Sequence, residues 1–425
     1  MNIRLVSVNP DNLRTEPVQP GWLDRLARRI VLSRLELIEA GQVVLTENGR
    51  HTIYGRLTDE FPLTGQLDVL DPKFYSDVAF GGSIGAGEAW MNGYWASSDL
   101  GGLLRILIRN QDVMRKLDRG FAILSKPLQQ LLHAFNRNTR KGSRRNIAAH
   151  YDLGNDFYRL WLDRKMMYSC AYYDSADTSL EEASTEKLDR ICRKLELSPH
   201  DRVVEIGTGW GGFAIHAAKH YGCHVTTTTI SSEQHRYAQQ AIREQGLEDR
   251  ITLLFKDYRD LEGRFDKLVS IEMIEAVGYR FHPAYFRKCC ELLEPDGLML
   301  LQAITMADQE YDEYRRGVDF INRYIFPGGC LTSVTDMTRT MTDHTDLRTI
   351  HMEDIGPHYA TTLRHWYERF MARLEEVREL GYPDTFIRMW EFYLVSCESA
   401  FIERKIGNVQ MLMMRPGARR EHIRY

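Results

Sequence analysis

The stretch at 203–213, Val-Val-Glu-Ile-Gly-Thr-Gly-Trp-Gly-Gly-Phe, constrains the fold of this chain more than any other. A short apolar run suited to a buried strand breaks into glycines, and residues 213–220 then read as a helix. Gly207, Gly209 and Gly211 permit a tight turn and a close approach of backbone to a ligand. That is the arrangement that seats a nucleotide-like cofactor beyond a strand of a doubly wound sheet.

Further β-type runs at 224–229, 251–255, 267–271 and 298–303 alternate with helical segments, the spacing of a parallel α/β sheet. The loop reads E-x-G-x-G from Glu205, not the G-x-G-x-x-G that offers a helix N-terminus to a pyrophosphate. It points away from NAD and toward S-adenosylmethionine. The second strand ends in Thr229-Ile-Ser-Ser-Glu-Gln234 with no acidic residue at its tip to hold ribose hydroxyls, a task left to Thr229 and Gln234.

With 425 residues and 43% hydrophobic content the chain can bury a full core in two or three domains. No run approaches the roughly 18 apolar residues needed to cross a bilayer, and the polar, proline-bearing residues 1–22 do not resemble a signal peptide. A cytoplasmic location is expected. Seven cysteines without a C-x-x-C pair argue for reduced thiols and against a structural zinc. The fourteen His show no H-E-x-x-H spacing, so no metal is expected.

The net charge of −4 is unevenly spread, because residues 115–145 hold nine Lys and Arg against Asp118 alone. This basic stripe interleaves Phe121, Leu124, Leu128, Leu132 and Phe135 with its charges, a mixture suited to an anionic lipid interface or to an interdomain linker helix. Nucleic acid is not expected as a partner, since the remainder of the chain is acidic. Before the stripe, a first helix from Leu23 and short runs at 42–45 and 51–57 suggest a small α+β domain, and 103–113 repeats apolar residues at helical spacing. The glycines of 81–87 lack the Lys-Ser or Lys-Thr of a phosphate cradle and read as a turn-rich segment.

Motifs spread along the chain then carry a resemblance: H-Y-D-L-G-N-D from His150, Y-S-C-A-Y from Tyr168, G-W-G-G from Gly209, T-I-S-x-E-Q from Thr229, D-Y-R-D from Asp257, Y-I-F-P-G-G-C from Tyr324 and W-Y-E-R-F from Trp366. Together they resemble the bacterial cyclopropane-fatty-acyl-phospholipid synthases over nearly the whole length. The resemblance implies a class I methyltransferase: a Rossmann-like, seven-stranded, mostly parallel sheet with a helical lid insertion and a small N-terminal α+β domain. The expected division is an N-terminal lipid-engaging domain at 1–117, a basic linker at 118–145 and a catalytic domain at 146–425. Later β-like runs at 347–352 and 408–414 flank helical stretches at 361–380 and 386–401, expected to roof a channel for an acyl chain.

The implied reaction is methyl transfer from S-adenosylmethionine to the cis double bond of an unsaturated phospholipid acyl chain, on the inner face of the membrane. The expected partner is an unsaturated phospholipid bilayer, with a homodimer as an open alternative. The π-electrons attack the methyl directly, so no Ser-His-Asp arrangement is required. The resulting carbocation needs a base, and the base decides the product. A proton taken from the new methyl closes a cyclopropane; one taken from a neighbouring chain carbon leaves a methyl branch or a methylene group.

In the family the base is a bound bicarbonate, and the resemblance places its ligands at Cys170, Glu275, Tyr359 and Cys397. It places the cofactor on Tyr168, Ser169, Gly207, Gly209, Thr229, Ile230, Gln234, Asp257 and Tyr258. Two departures stand out: the usual L-L-H-T-I is here Leu300-Leu-Gln302-Ala-Ile, and the usual G-M-F-E-H-V-G is here Glu272-Met-Ile-Glu275-Ala-Val-Gly278. Glu272 either takes the place of bicarbonate as the base, with Gln302 hydrogen-bonding it, or faces solvent at a strand end. The same change resembles relatives that methylate unsaturated chains without closing a ring. A catalytically inactive lipid-binding protein is the alternative of another class.

Overall fold

The computed structural model describes residues 21–111, 142 and 153–419. The basic stripe from Arg115 to Arg145, residue 142 aside, and the first three residues of the motif that begins at His150 lie outside the described residues. The chain divides into two compact units. The first gathers the described N-terminal residues with Val318–Tyr324 and Leu374–Lys405.

In the first unit a helix α1 (Trp22–Leu35) buries Ala27, Val31 and Leu35, four residues apart and so on one face. Strands β1 (Gly41–Glu47), β2 (Arg50–Arg56), β3 (Thr64–Val69) and β4 (Trp95–Ala96) form a sheet in the order β2-β1-β3-β4. The β1–β2 hairpin turns on Asn48 and Gly49 at φ 50° and 73°, the pair of positive angles that matches the twist of the flanking strands.

Helix α2 (Lys73–Met91) runs through the glycines of 81–87, so the expectation of a turn-rich segment there is wrong. The chain kinks at Gly82, φ 58° and ψ −136°, but continues as helix because Phe74, Tyr75, Val78, Ile84 and Trp90 bury an apolar face. The glycines serve close packing: a Cβ at Gly85 would lie 1.9 Å from the Asp77 carbonyl oxygen, and one at Gly87 2.4 Å from the Phe320 ring. Helix α3 (Leu100–Arg109) begins at Asp99, whose side chain accepts from the Gly102 N–H. The helix Asp384–Ile402 belongs to this unit. Its Arg388 donates to the carbonyls of Trp90 and Trp95 and lies 4.2 Å from the centre of the Trp90 ring.

The second unit is built on β5 (Arg202–Ile206), β6 (His224–Thr228), β7 (Ile251–Leu254), β8 (Phe265–Ile271), β9 (Leu293–Met306), β10 (Arg348–Asp354) and β11 (Ile406–Met414). They form a seven-stranded sheet in the order β10-β11-β9-β8-β5-β6-β7. Strands β5 to β9 are parallel, whereas β11 runs antiparallel to β9 and β10, as expected for the class I methyltransferase fold. Alternate residues feed two cores: Val204, Leu268, Leu301 and Met411 one, and Val203, Val269, Leu300 and Leu412 the other. Helix α4 (Leu180–Lys194) leads into β5, and α5 (Gly212–Tyr221), α6 (Ser232–Glu244) and α7 (His282–Leu292) connect strands of the sheet. Ser179 and Glu182 form a capping box that starts α4.

The stretch expected as one helix at 361–380 is two, α8 (Gly356–Met371) and Leu374–Glu379. Among the described residues no helix is long and apolar enough to cross a membrane.

Candidate active site

Strand order reverses at β5, which has β8 on one side and β6 on the other, so a crevice opens beyond the carboxyl ends of these strands. Gly207 follows β5 and Glu272 follows β8. Gln302 lies in β9, and the antiparallel β11 brings Asn408 to the same edge.

Glu272 leaves β8 at φ 48°, a left-handed conformation that is costly for a glutamate and is retained where the surroundings demand it. Its N–H continues the ladder by donating to the Gln302 carbonyl at 2.8 Å. The side chain lies in a ring of donors. Oε1 accepts from the Cys170 N–H at 3.0 Å, from Gln302 Nε2 at 2.7 Å and from Asn408 Nδ2 at 2.7 Å. Oε2 accepts from the Tyr359 hydroxyl at 2.7 Å. The strand-end glutamate facing solvent is therefore ruled out: Glu272 is half-buried and its carboxylate joins four elements.

Glu275 sits one 3-10 turn further on and accepts from the Ile304 N–H at 2.6 Å through Oε1. The residue is partly exposed, but Oε2 is sealed from solvent and has no hydrogen-bond partner among the described residues. Burial, with Glu272 as the second cause, pushes the Glu275 carboxyl up to about 8. Both causes favour the neutral form of Glu275.

Cys170 is fully buried, and its thiol is pushed up by burial and by Glu272. It contributes its backbone N–H to the ring, which a sulfur-centred reading of the residue does not anticipate. Tyr359 is held in α8 and packs edge-on to Trp366, their ring centres 6.0 Å apart. Trp366 lies 5.3 Å from Tyr168, and Tyr168 stacks on Phe326 at 6.0 Å. An aromatic wall therefore runs on from the carboxylate. Cys397 is in the first unit, where burial and Asp319 push its thiol up. The structure gathers the other five catalytic candidates within the second unit.

Of the cofactor candidates, Gly209 has φ 54°, and a Cβ built on it meets nothing within 4 Å, so the loop fronts open space. Gly207, at φ 103°, backs onto Met273. Ser169 is buried and accepts from Lys187 Nζ at 2.9 Å. The Thr229 hydroxyl donates to Gln234 Oε1 at 2.9 Å, and Ser231 between them caps α6, with Ile230 half-buried alongside. Asp257 is buried and clamped by its neighbour Arg259, whose Nε lies 2.8 Å from Oδ1 and Nη2 2.6 Å from Oδ2. Tyr258 packs edge-on to Tyr285 at 5.6 Å. The glycine loop, the Thr229–Gln234 pair and the adjacent Ser169 and Tyr168 fit an adenosyl cofactor: positive-φ backbone faces unfilled space beside hydroxyl and amide groups.

Asn408, Gln410, Lys187 and Lys194 were not anticipated. All four are buried, and the signal for two of them was available, since Asn408 and Gln410 are amides set into a run of Val, Met and Leu on one strand.

Comparison with known proteins places these observations. Residues 138–411 match the family described as mycolic acid cyclopropane synthetase. The chain is 38% identical over 343 residues to the tuberculostearic acid methyltransferase of Mycobacterium tuberculosis, covering 79% of this chain and 80% of that one. It is also 38% identical over 350 residues to the cyclopropane-fatty-acyl-phospholipid synthase of Escherichia coli, covering 82% and 87%. Among solved structures, the cyclopropane synthase MmaA2 from Mycobacterium tuberculosis aligns with a TM-score of 0.60 at 28% identity, covering 64% of this chain and 98% of its own. The mycolic acid cyclopropane synthase CmaA1 complexed with SAH and CTAB aligns equally well, at 30% identity.

Proposed function

The chain belongs to the mycolic acid cyclopropane synthetase family and is an S-adenosylmethionine-dependent methyltransferase, and we propose that it methylates the cis double bond of an unsaturated phospholipid acyl chain and closes a cyclopropane. The observation that carries this reading is the Glu272 carboxylate, set among four donors beside an aromatic wall.

S-adenosylmethionine, when bound, supplies an electrophilic methyl carbon to the π-electrons of the alkene. The tasks left to the protein are to hold the cofactor, to accommodate positive charge on the chain and to remove one proton. Gly207, Gly209, Thr229, Gln234, Ser169 and Tyr168 would hold the cofactor. The Tyr168 ring and the Glu272 carboxylate would favour positive charge on the chain.

Glu272 is the base in this reading. Oε1 already accepts three N–H bonds, so the incoming proton goes to Oε2, and the Tyr359 hydroxyl then turns from donor to acceptor. A carboxylate is the closest side-chain counterpart of bicarbonate, and on this reading Glu272, bonded to the Cys170 N–H and the Tyr359 hydroxyl, takes the place of that ion. On this reading turnover does not require bicarbonate.

The same observation favours a second reading, in which cofactor and lipid are unchanged but Glu272 takes its proton from a chain carbon and leaves a methyl-branched or methylene product. Mass spectrometry and NMR of lipids from a host rich in unsaturated phospholipids and expressing this chain decide between them. A cyclopropane methylene signal supports ring closure, a methyl doublet or an exocyclic alkene supports the second reading, and unmodified lipid overturns both.

The proposal extends to a peripheral position on the inner face of the membrane, docked through the basic stripe, and leaves nucleic acid without a role. Binding to anionic vesicles should fall as salt rises, because exposed charges are screened over about 8 Å at physiological ionic strength. Replacement of Arg140, Lys141, Arg144 and Arg145 by Ser should weaken it. Equal binding by that variant at low salt would make the stripe a linker.

A further inference from the structure

A row of polar side chains crosses one edge of the sheet. The register places Glu353 of β10 opposite Gln410 of β11, Gln410 opposite Gln302 of β9, and Gln302 opposite Ile271, the residue before Glu272. Lys194, the last residue of α4, reaches this row. Its Nζ donates to Gln410 Oε1 at 2.6 Å and also contacts Glu353. Gln410 Nε2 donates to Gln302 Oε1 at 3.0 Å, and Gln302 Nε2 donates to Glu272 Oε1 at 2.7 Å. Lys194, Gln410 and Gln302 are each at most 1% exposed.

The chain of bonds has one direction, and its ends enforce it. An ammonium can only donate, so Gln410 must turn its oxygen toward Lys194 and its NH2 toward Gln302. Gln302 must then turn its oxygen toward Gln410 and its NH2 toward Glu272, where a carboxylate can only accept. A primary amide is nearly symmetric in shape, and packing alone does not choose between its two orientations. With the opposite choice at Gln302, an oxygen would face Glu272 Oε1 in a buried site, leaving two acceptors without a proton between them.

We propose that Lys194 is a positioning residue for the reaction: through Gln410 it fixes the orientation of Gln302, keeps an N–H on Glu272 Oε1 and so reserves Oε2 for the proton that leaves the substrate. The inference rests on the assignment of Glu272 as the base for its effect on turnover, but not for the amide orientation itself. Glu353, paired with Arg190 at 2.8 Å as well as with Lys194, anchors the cation at the far end.

Three variants test it. Lys194→Met keeps length and removes the donor; kcat should fall roughly tenfold or more, the usual cost of removing a group that orients a reacting one, with KM for S-adenosylmethionine unchanged. Lys194→Arg restores the donor and should recover most of kcat. Gln410→Glu is isosteric, keeps the contact with Lys194 as an ion pair and presents only an acceptor to Gln302. It should fold as wild type, reverse the Gln302 amide and lose turnover as Lys194→Met does.

The chemical shifts of the Gln302 side-chain NH2 in glutamine-labelled protein read its hydrogen-bond partner independently of turnover, and should move in Lys194→Met and Gln410→Glu and stay in place in Lys194→Arg. Unchanged shifts and kcat in folded Gln410→Glu would overturn the proposal. So would a failure of Lys194→Arg to recover what Lys194→Met loses. Changed shifts with unchanged kcat would leave the relay standing and overturn Glu272 as the base.

Discussion

The Tyr359 hydroxyl lies 2.7 Å from Glu272 Oε2, the carboxylate oxygen that, among the described residues, accepts no N–H. This bond ties α8 to the end of β8 and marks the oxygen left free to take a proton. Tyr359→Phe keeps the ring against Trp366 and removes one hydrogen bond to a charged group, a loss of about 1.5–3 kcal/mol. The variant should fold normally and lose turnover roughly tenfold or more, with cofactor affinity preserved. Titration calorimetry alongside steady-state kinetics checks it, and a wild-type kcat would remove Tyr359 from the proton path.

Glu272→Gln leaves the shape of the donor ring but places an amide where it needs an acceptor, and it removes the base. Turnover should fall about 10²–10⁴-fold, the range for a positioned general base, and added bicarbonate should not restore it. Glu272→Gly combined with Gln302→His rebuilds the arrangement implied by the family resemblance and should make turnover depend on bicarbonate. A wild type that itself requires bicarbonate, together with an active Glu272→Gln, would defeat the assignment.

The sheet was legible because its signals are local. Runs of Val, Ile and Leu separated by helical segments mark β5 to β9, and the glycines after β5 fix where the crevice must open. The site was legible only in part. Glu272 drew notice because it breaks a family pattern next to Glu275, but Asn408, Gln410 and Lys194 come from distant parts of the chain. Asn408 meets Glu272 directly and the other two reach it through Gln302, by way of the β9–β11 register and the length of α4, neither of which a one-dimensional reading provides. The glycines of 81–87 misled for the opposite reason. Their composition suggests turns, whereas Gly85 and Gly87 make room against the helix for the Asp77 carbonyl and the Phe320 ring.

Gly209 carries φ 54° and faces open space. Two separate penalties follow for Gly209→Val: a β-branched residue in the left-handed region costs roughly 1–2 kcal/mol or more of stability, and its methyls project into the space assigned to the cofactor. The melting temperature should drop modestly while S-adenosylmethionine binding is abolished. Calorimetry on the folded variant separates the two effects, and unchanged affinity would place the cofactor elsewhere.

Glu205, two residues before Gly207, is 2% exposed and accepts from Thr227 Oγ1 at 2.6 Å. Burial pushes its carboxyl from 4.5 up to about 8, so the native protein binds this proton more tightly than the unfolded chain does. The stability gained is full below about pH 4.5 and is lost as pH rises through about 8, at up to about 1.4 kcal/mol per pH unit. Glu275 titrates over the same window. Glu205→Gln retains an acceptor for Thr227 but cannot ionise, so its stability should fall less steeply between pH 5.5 and 8.5 than that of wild type, without becoming flat, because Glu275 remains. Urea denaturation across roughly that range measures the two slopes, and parallel curves would show that Glu205 does not stay protonated in the folded protein.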